Sequence, residues 1–234
     1  MSNFNSPLVV KVWSEQGALF TRPEFGAERV SYPVMTPSAA RGVLEAIFWK
    51  PEFSWKVREI KVLKPIRHFS ILRNEINDWQ SASAAKDESY HYFADDNEAK
   101  NRCQRHSLCL RDVAYIISAD IMLKPHANAD VAKYRDQFRR RVAKGQCHHQ
   151  PYLGTREFSA YFSNPDSTEP TINHSDELGL MLWDLDFTID PEAKQLEFLT
   201  HDENGGRVTK GTAKPRFFRA RLDKGVLRIP EVAV

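Results

Sequence analysis

Val131, Tyr134, Phe138 and Val142 recur at steps of three and four residues, a spacing that fits a helix with its apolar side chains on one face. Asn128 or Asp130 can cap its start, and Gly145 stands where a left-handed residue would end it. The other faces carry Lys133, Arg135, Arg139, Arg140, Arg141 and Lys144, with Asp136 as the acid among them. Cations packed this closely repel one another, so the face is either simply solvated or set against an anion. Past Gly145 come Cys147, His148 and His149, then a segment from Tyr152 to Phe162 that reads as a strand and contains Leu153-Gly154-Thr155-Arg156-Glu157-Phe158.

Upstream, Leu8, Val10 and Val12 alternate, which predicts a half-buried strand near the start of Pro7 to Phe20. Thr36-Pro37 is a helix entry, with a capping hydroxyl and a proline in the first turn. That helix should reach about Trp49 and stop before Pro51. Its apolar positions are Val43, Leu44, Ile47 and Phe48; Arg41, Glu45 and Lys50 lie off the stripe. Phe53 to Pro65 reads as a strand whose apolar phase slips near Arg58-Glu59, the mark of a bulge. Ile66 to Ile76 extends it or pairs with it. Glu75 to Arg105 is polar and aperiodic, and it holds Tyr90-His91-Tyr92-Phe93, a cluster that either stacks on bases or anchors its own loop. Ser107 to Met122 reads as one long strand. The order strand, helix, strand, strand, helix, strand predicts an α+β, ferredoxin-like βαββαβ domain over residues 1–163. Asn164 to Glu177 has linker composition, and residues 164–234 then read as a small antiparallel β-sheet domain packed on the first, with turns at Asn204-Gly205-Gly206 and Asp223-Lys224-Gly225.

Several function classes drop out. Net charge over the 234 residues is only +2, so affinity for nucleic acid must come from local clustering. No apolar run approaches the ~18 residues of a membrane span, and residues 1–6 lack the features of a secretory leader. Three cysteines at irregular spacing suit reduced thiols, so a cytoplasmic setting is expected. Cys147-His148-His149 lacks the second ligand pair of a structural zinc site. Asp184 and Asp186 could hold magnesium with His201, although paired acids on an exposed strand are commoner than metal sites; no metal or cofactor is expected. Phosphate-binding glycine loops and a nucleophile elbow are missing from the sequence. Acid/base chemistry on RNA is left. It needs an acceptor for a 2′-hydroxyl proton, a cation for the crowded phosphate and a donor for the leaving oxygen. Lys133, Tyr134, His148, His149 and Arg156 all lie in the helix-loop-strand block, though Tyr134 also sits on the apolar stripe, where a core role is natural.

Four ordered motifs resemble one family. Ser38-Ala39-Ala40-Arg41-Gly42-Val43-Leu44-Glu45-Ala46-Ile47-Phe48-Trp49-Lys50-Pro51 resembles the first helix of the type I-C (Dvulg-subtype) CRISPR-associated RAMP proteins, and Leu108-Cys109-Leu110-Arg111-Asp112-Val113-Ala114-Tyr115 their central strand. The run from Arg139 to Phe158 is the most specific match; Leu19-Phe20 with Ser31-Tyr32-Pro33 fits more loosely. The resemblance implies a ferredoxin-like RAMP domain followed by a small β-domain. It also implies metal-independent cleavage of precursor CRISPR RNA at the 3′ base of the repeat hairpin, by attack of the 2′-hydroxyl. Members then stay on the guide RNA with the other subunits of the type I-C interference complex, and some also bind double-stranded DNA. The family's proposed active site is a Tyr in an Ile-Tyr-Trp-Lys-Pro segment and a Lys-His pair early in the second helix. Here the first falls on Phe48, and counting back from Gly145 puts the pair on Lys133 and Tyr134. The expected catalytic groups are therefore Lys133 for phosphate charge and Tyr134 or His149 for proton transfer. Arg41, Lys50, Arg139, Arg140, Arg141, Lys144 and Arg156 are the expected RNA-binding residues. The alternative is a non-catalytic subunit that holds the guide's 5′ handle.

Overall fold

A computed structural model of the chain describes residues 6–77, 81, 83–89, 102–166, 168–193 and 196–231. The Tyr90-to-Phe93 cluster lies outside them. The strands are β1 (Leu8–Ser14), β2 (Arg29–Val30), β3 (Phe53–Val62), β4 (His68–Ile76), β5 (Arg102–Leu110), β6 (Val113–Leu123), β7 (Tyr161–Ser163), β8 (Asp176–Ile189), β9 (Glu197–Asp202), β10 (Gly205–Asp223) and β11 (Val226–Arg228), with helices α1 (Pro37–Ile47) and α2 (Val131–Lys144). The main sheet runs β7-β1-β6-β3-β11-β10-β8, with β9 paired to β10. Numbered within a βαββαβ unit, β1, β3, β6 and β7 stand in the spatial order fourth, first, third, second. That is the ferredoxin-like arrangement expected from the element order.

Both helices begin where the sequence placed their caps. The Thr36 hydroxyl accepts from the Ala39 N–H at 3.2 Å, and the Asp130 carboxylate accepts from the Ala132 N–H at 3.3 Å. Gly145 closes α2 with φ of 62°, a conformation that glycine takes without steric cost. Against the sheet, Tyr134, Phe138 and Val142 are buried as their spacing required. The Phe138 ring meets Trp55 at 4.8 Å, while Phe53 lies 5.3 Å from both Tyr134 and Phe48. Each such fully buried side chain contributes roughly 1.5–3 kcal/mol. The bulge also falls where the phase slips, with register lost between Val57 and Glu59.

Three local readings need correction. Ser107 to Met122 is two strands: β5 and β6 are separated at Arg111-Asp112, where Asp112 turns to φ of 48° and the chain crosses from one sheet to another. β4 does not extend or pair with β3; it pairs antiparallel with β5, and with β2 they form a second, three-stranded sheet. Within Tyr152 to Phe162 only the end is strand. Residues 152–160 fold back through a Tyr152–Ser159 bridge, and the Leu19 N–H donates to the Leu153 carbonyl at 3.0 Å. Gly154 makes that approach possible: its φ is 88°, and a Cβ there would sit 1.9 Å from the Leu19 carbonyl oxygen. Downstream, β11 pairs with β3, so the C-terminal hairpins continue the main sheet. Among the described residues no helix is long and apolar enough to cross a membrane.

Candidate nucleic-acid interface

Helix α2 divides its cations between the fold and the solvent. Arg135 is buried, donates to the Ser6 carbonyl, and has its pKa lowered by burial and by the neighbouring Arg139. Arg141 donates to the Ile47 carbonyl at 2.8 Å and lies 5.2 Å over the Phe48 ring, tying α2 to the end of α1. Arg139 faces Asp136 at 3.3 Å in an exposed pair. Lys133, Arg140 and Lys144 are exposed and make no ion pair among the described residues. Steps of seven and four residues return to nearly the same angle at about 100° per residue, so these three cations form one stripe along the helix.

Arg41, expected on RNA, is held instead by Glu45 at 3.0 Å and Asp184 at 2.7 Å. Asp186 faces Arg216 at 3.1 Å, so the two aspartates considered for magnesium are each already matched by a guanidinium. Beyond the end of α2 the loop docks on α1, with the His148 and His149 N–H groups donating to the Ala46 carbonyl at 2.8 and 3.2 Å. His149 and Arg156 line one open hollow there with Tyr152 and Ser159.

The expected catalytic trio is therefore not brought together. Lys133 and Tyr134 sit in the first turn of α2, whereas His149 lies past its last turn. The helix axis advances about 18 Å from Lys133 to Gly145, too far for one phosphate to meet both ends. What does gather by Tyr134 is a corner to which three elements besides α2 contribute. Phe48, just past the end of α1, packs on Phe53, and exposed Lys50 follows two residues on. Glu52 and Phe53 come from the start of β3. The loop after β6 is pinned to them by its Lys124 N–H, which donates to the Glu52 carbonyl at 2.9 Å, and by the His126 Nε2, 3.2 Å from the Pro51 carbonyl. Phe48 is 1% exposed and packs as an aromatic spacer. The Tyr134 ring is buried too, but its hydroxyl has no partner among the described residues and is not among the fully enclosed polar atoms. Burial, reinforced by the Glu52 carboxylate, raises the Tyr134 pKa and keeps the phenol protonated. One Glu52 carboxylate oxygen is enclosed without a partner. Sequence reasoning missed Glu52 and His126, because neither lies in a motif; Glu52 acts on the Tyr134 phenol through its charge, and His126 is held next to Glu52 by the Pro51 carbonyl.

The sequence pattern of the Cas5d family, described as CRISPR-associated protein, matches residues 8–230. The chain belongs to the Cas5d family. A Cas5d relative from Thermus thermophilus named CRISPR pre-crRNA endoribonuclease is 51% identical over 223 residues, covering 95% of this chain and 91% of the relative. One of the same name from Mannheimia succiniciproducens is 39% identical over 236 residues, covering 94% and 92%. A solved structure titled as a CRISPR-associated protein superposes with a TM-score of 0.60 at 21% identity, over 97% of this chain and 95% of that one, which bears on the fold alone.

Proposed function

We propose that this Cas5d protein cleaves precursor CRISPR RNA at the 3′ base of the repeat hairpin, without metal, and stays bound as a subunit of the type I-C interference complex. The observation that carries the reading is the unpaired stripe Lys133, Arg140 and Lys144, which leads along α2 to a corner holding a cation and a protonated phenol. The names of the Thermus and Mannheimia relatives support the substrate. In the reaction the 2′-oxygen attacks phosphorus, the bond from phosphorus to the 5′-oxygen breaks, and a 2′,3′-cyclic phosphate and a 5′-hydroxyl form. Lys133 neutralises the crowded phosphate. Tyr134 donates its proton to the departing 5′-oxygen. His126, held by Pro51, takes the 2′-hydroxyl proton. Lys50 and Lys124 flank the corner, and Arg156 with His149 holds RNA farther along, past the end of α2.

Cleavage of the cognate repeat hairpin in EDTA tests this directly. Cutting should persist in EDTA and stop when the nucleotide 5′ to the cut carries a 2′-deoxyribose; the opposite pattern refutes the mechanism. A second reading, a binding subunit that holds the 5′ handle while another nuclease cuts, is favoured by the enclosed, proton-free Phe48 ring. It predicts tight binding without any product. Duplex DNA is a further ligand of the same stripe, and it should compete with the hairpin for binding and lose affinity on Arg140→Ala.

A further inference from the structure

Beside the corner, four rings surround a hollow of about 530 Å³, a volume typical of small-ligand sites. Trp49, between Phe48 and Lys50, is 39% exposed and meets the His201 ring edge-on at 5.2 Å. Opposite, Phe187 of β8 is 48% exposed and leans on Phe198 of β9 at 5.1 Å. Lys124 closes the wall, and its ammonium makes no ion pair among the described residues. The fold gains little from leaving an indole and a phenyl half in water, and their flat faces are the surfaces on which bases stack. A lone cation at the rim of such rings suits a phosphate beside a base.

We propose that this hollow takes one unpaired nucleobase of the bound RNA, stacked on Trp49 and Phe187, with its neighbouring phosphate on Lys124. The assignment rests on the reading that the chain binds and cuts RNA at the corner. It deepens that reading by giving the enzyme a grip on a single-stranded nucleotide next to the cut. Stacking accepts any base, so the hollow selects for an unpaired position and leaves base identity to other contacts.

The test uses the full chain and a repeat hairpin with its unpaired flanks, in which each flanking nucleotide in turn is made abasic. Affinity is read by fluorescence anisotropy, with thermal melting of every variant to confirm folding. One abasic position should weaken wild-type binding roughly tenfold, Trp49→Ala or Phe187→Ala should weaken binding of intact RNA by a similar factor, and combining the two should add little. Trp49→Phe should restore most of the loss. Losses that multiply, or folded variants that bind every RNA like the parent, overturn the assignment. Unchanged RNA affinity with lost binding of another complex subunit also overturns it, in favour of a protein contact. Wild type that fails to bind any hairpin refutes the underlying RNA reading instead, whereas wild type that binds and cuts while the variants match it refutes the hollow alone.

Discussion

Arg140 and Arg141 are neighbours of identical chemistry, and the structure gives them opposite fates. Arg141 is half-buried; its guanidinium donates to the Ile47 carbonyl at 2.8 Å and covers the Phe48 ring at 5.2 Å. Loss of a hydrogen bond from a charged group costs about 1.5–3 kcal/mol. The cation–π contact adds about 0.5–1 kcal/mol at a partly exposed site. Arg141→Ala should therefore destabilise the protein by about 2–4 kcal/mol, and at roughly 2–4 °C per kcal/mol for a chain of this size the Tm should fall by about 4–16 °C. Arg140 makes no ion pair among the described residues, so Arg140→Ala should leave the Tm within about a degree, as surface changes usually do. Its effect should appear in RNA binding, where the slope of log affinity against log salt should shrink by roughly 0.7–0.9 for one lost phosphate contact. Thermal melting and salt-titrated anisotropy on both variants measure the two quantities independently. Arg141→Ala melting like the parent would refute the docking of α2 on α1. An unchanged salt slope in Arg140→Ala would remove the stripe from the RNA path.

At the corner, Lys133→Ala should slow cleavage about 10²–10³-fold, and Tyr134→Phe, which keeps the buried ring and deletes only the proton, about 10²–10⁴-fold, each with the Tm little changed; single-turnover kinetics check both. Gly154→Ala should cost about 1–3 kcal/mol from its left-handed backbone alone and more from the approach of the Leu19 carbonyl, read as a lower urea midpoint. Tyr115 is enclosed in the core with its pKa pushed far up by desolvation, only partly opposed by a hydrogen bond from Met35. On unfolding it ionises near its usual value of about 10, so the folded state holds the extra proton above that pH. Stability should then fall by up to about 1.4 kcal/mol for each pH unit above about 10, a slope that Tyr115→Phe should flatten.

Most of the ferredoxin-like core was legible because each element announced itself locally. Cap residues at Thr36 and Asp130, a stop at Gly145 and apolar spacing along both helices agree with one another and with the fold. The break at Asp112 was legible in principle as well. Leu108 and Leu110 share one parity while Val113 and Tyr115 share the other, a phase slip like the one that marked the bulge in β3. The segment after Tyr152 could not be read, since its shape depends on the Leu19 N–H, which donates to the Leu153 carbonyl across a long stretch of chain. The stripe on α2 followed from periodicity, yet which of its cations stay unpaired depends on Ser6, Ile47 and Asp136, and of these only Asp136 is local. The same holds at the corner, where His126 reaches Pro51 across the fold.

A net charge of +2 gives this protein little long-range pull on RNA, so the binding surface must be made by sorting cations. Helix α2 does that sorting. Arg135 and Arg141 are turned inward, donating to the Ser6 and Ile47 carbonyls, and Arg139 is held by Asp136. These uses remove charge from the faces of α2 that pack on the protein. Lys133, Arg140 and Lys144 are left on one line, ending beside a phenol whose proton is kept in place by burial and by Glu52. A backbone following that line would meet its last cation where the proton donor stands. The fold thus couples binding to cleavage through a single helix: displacing α2 from α1 should loosen RNA and slow cutting together, even when Lys133 and Tyr134 are untouched.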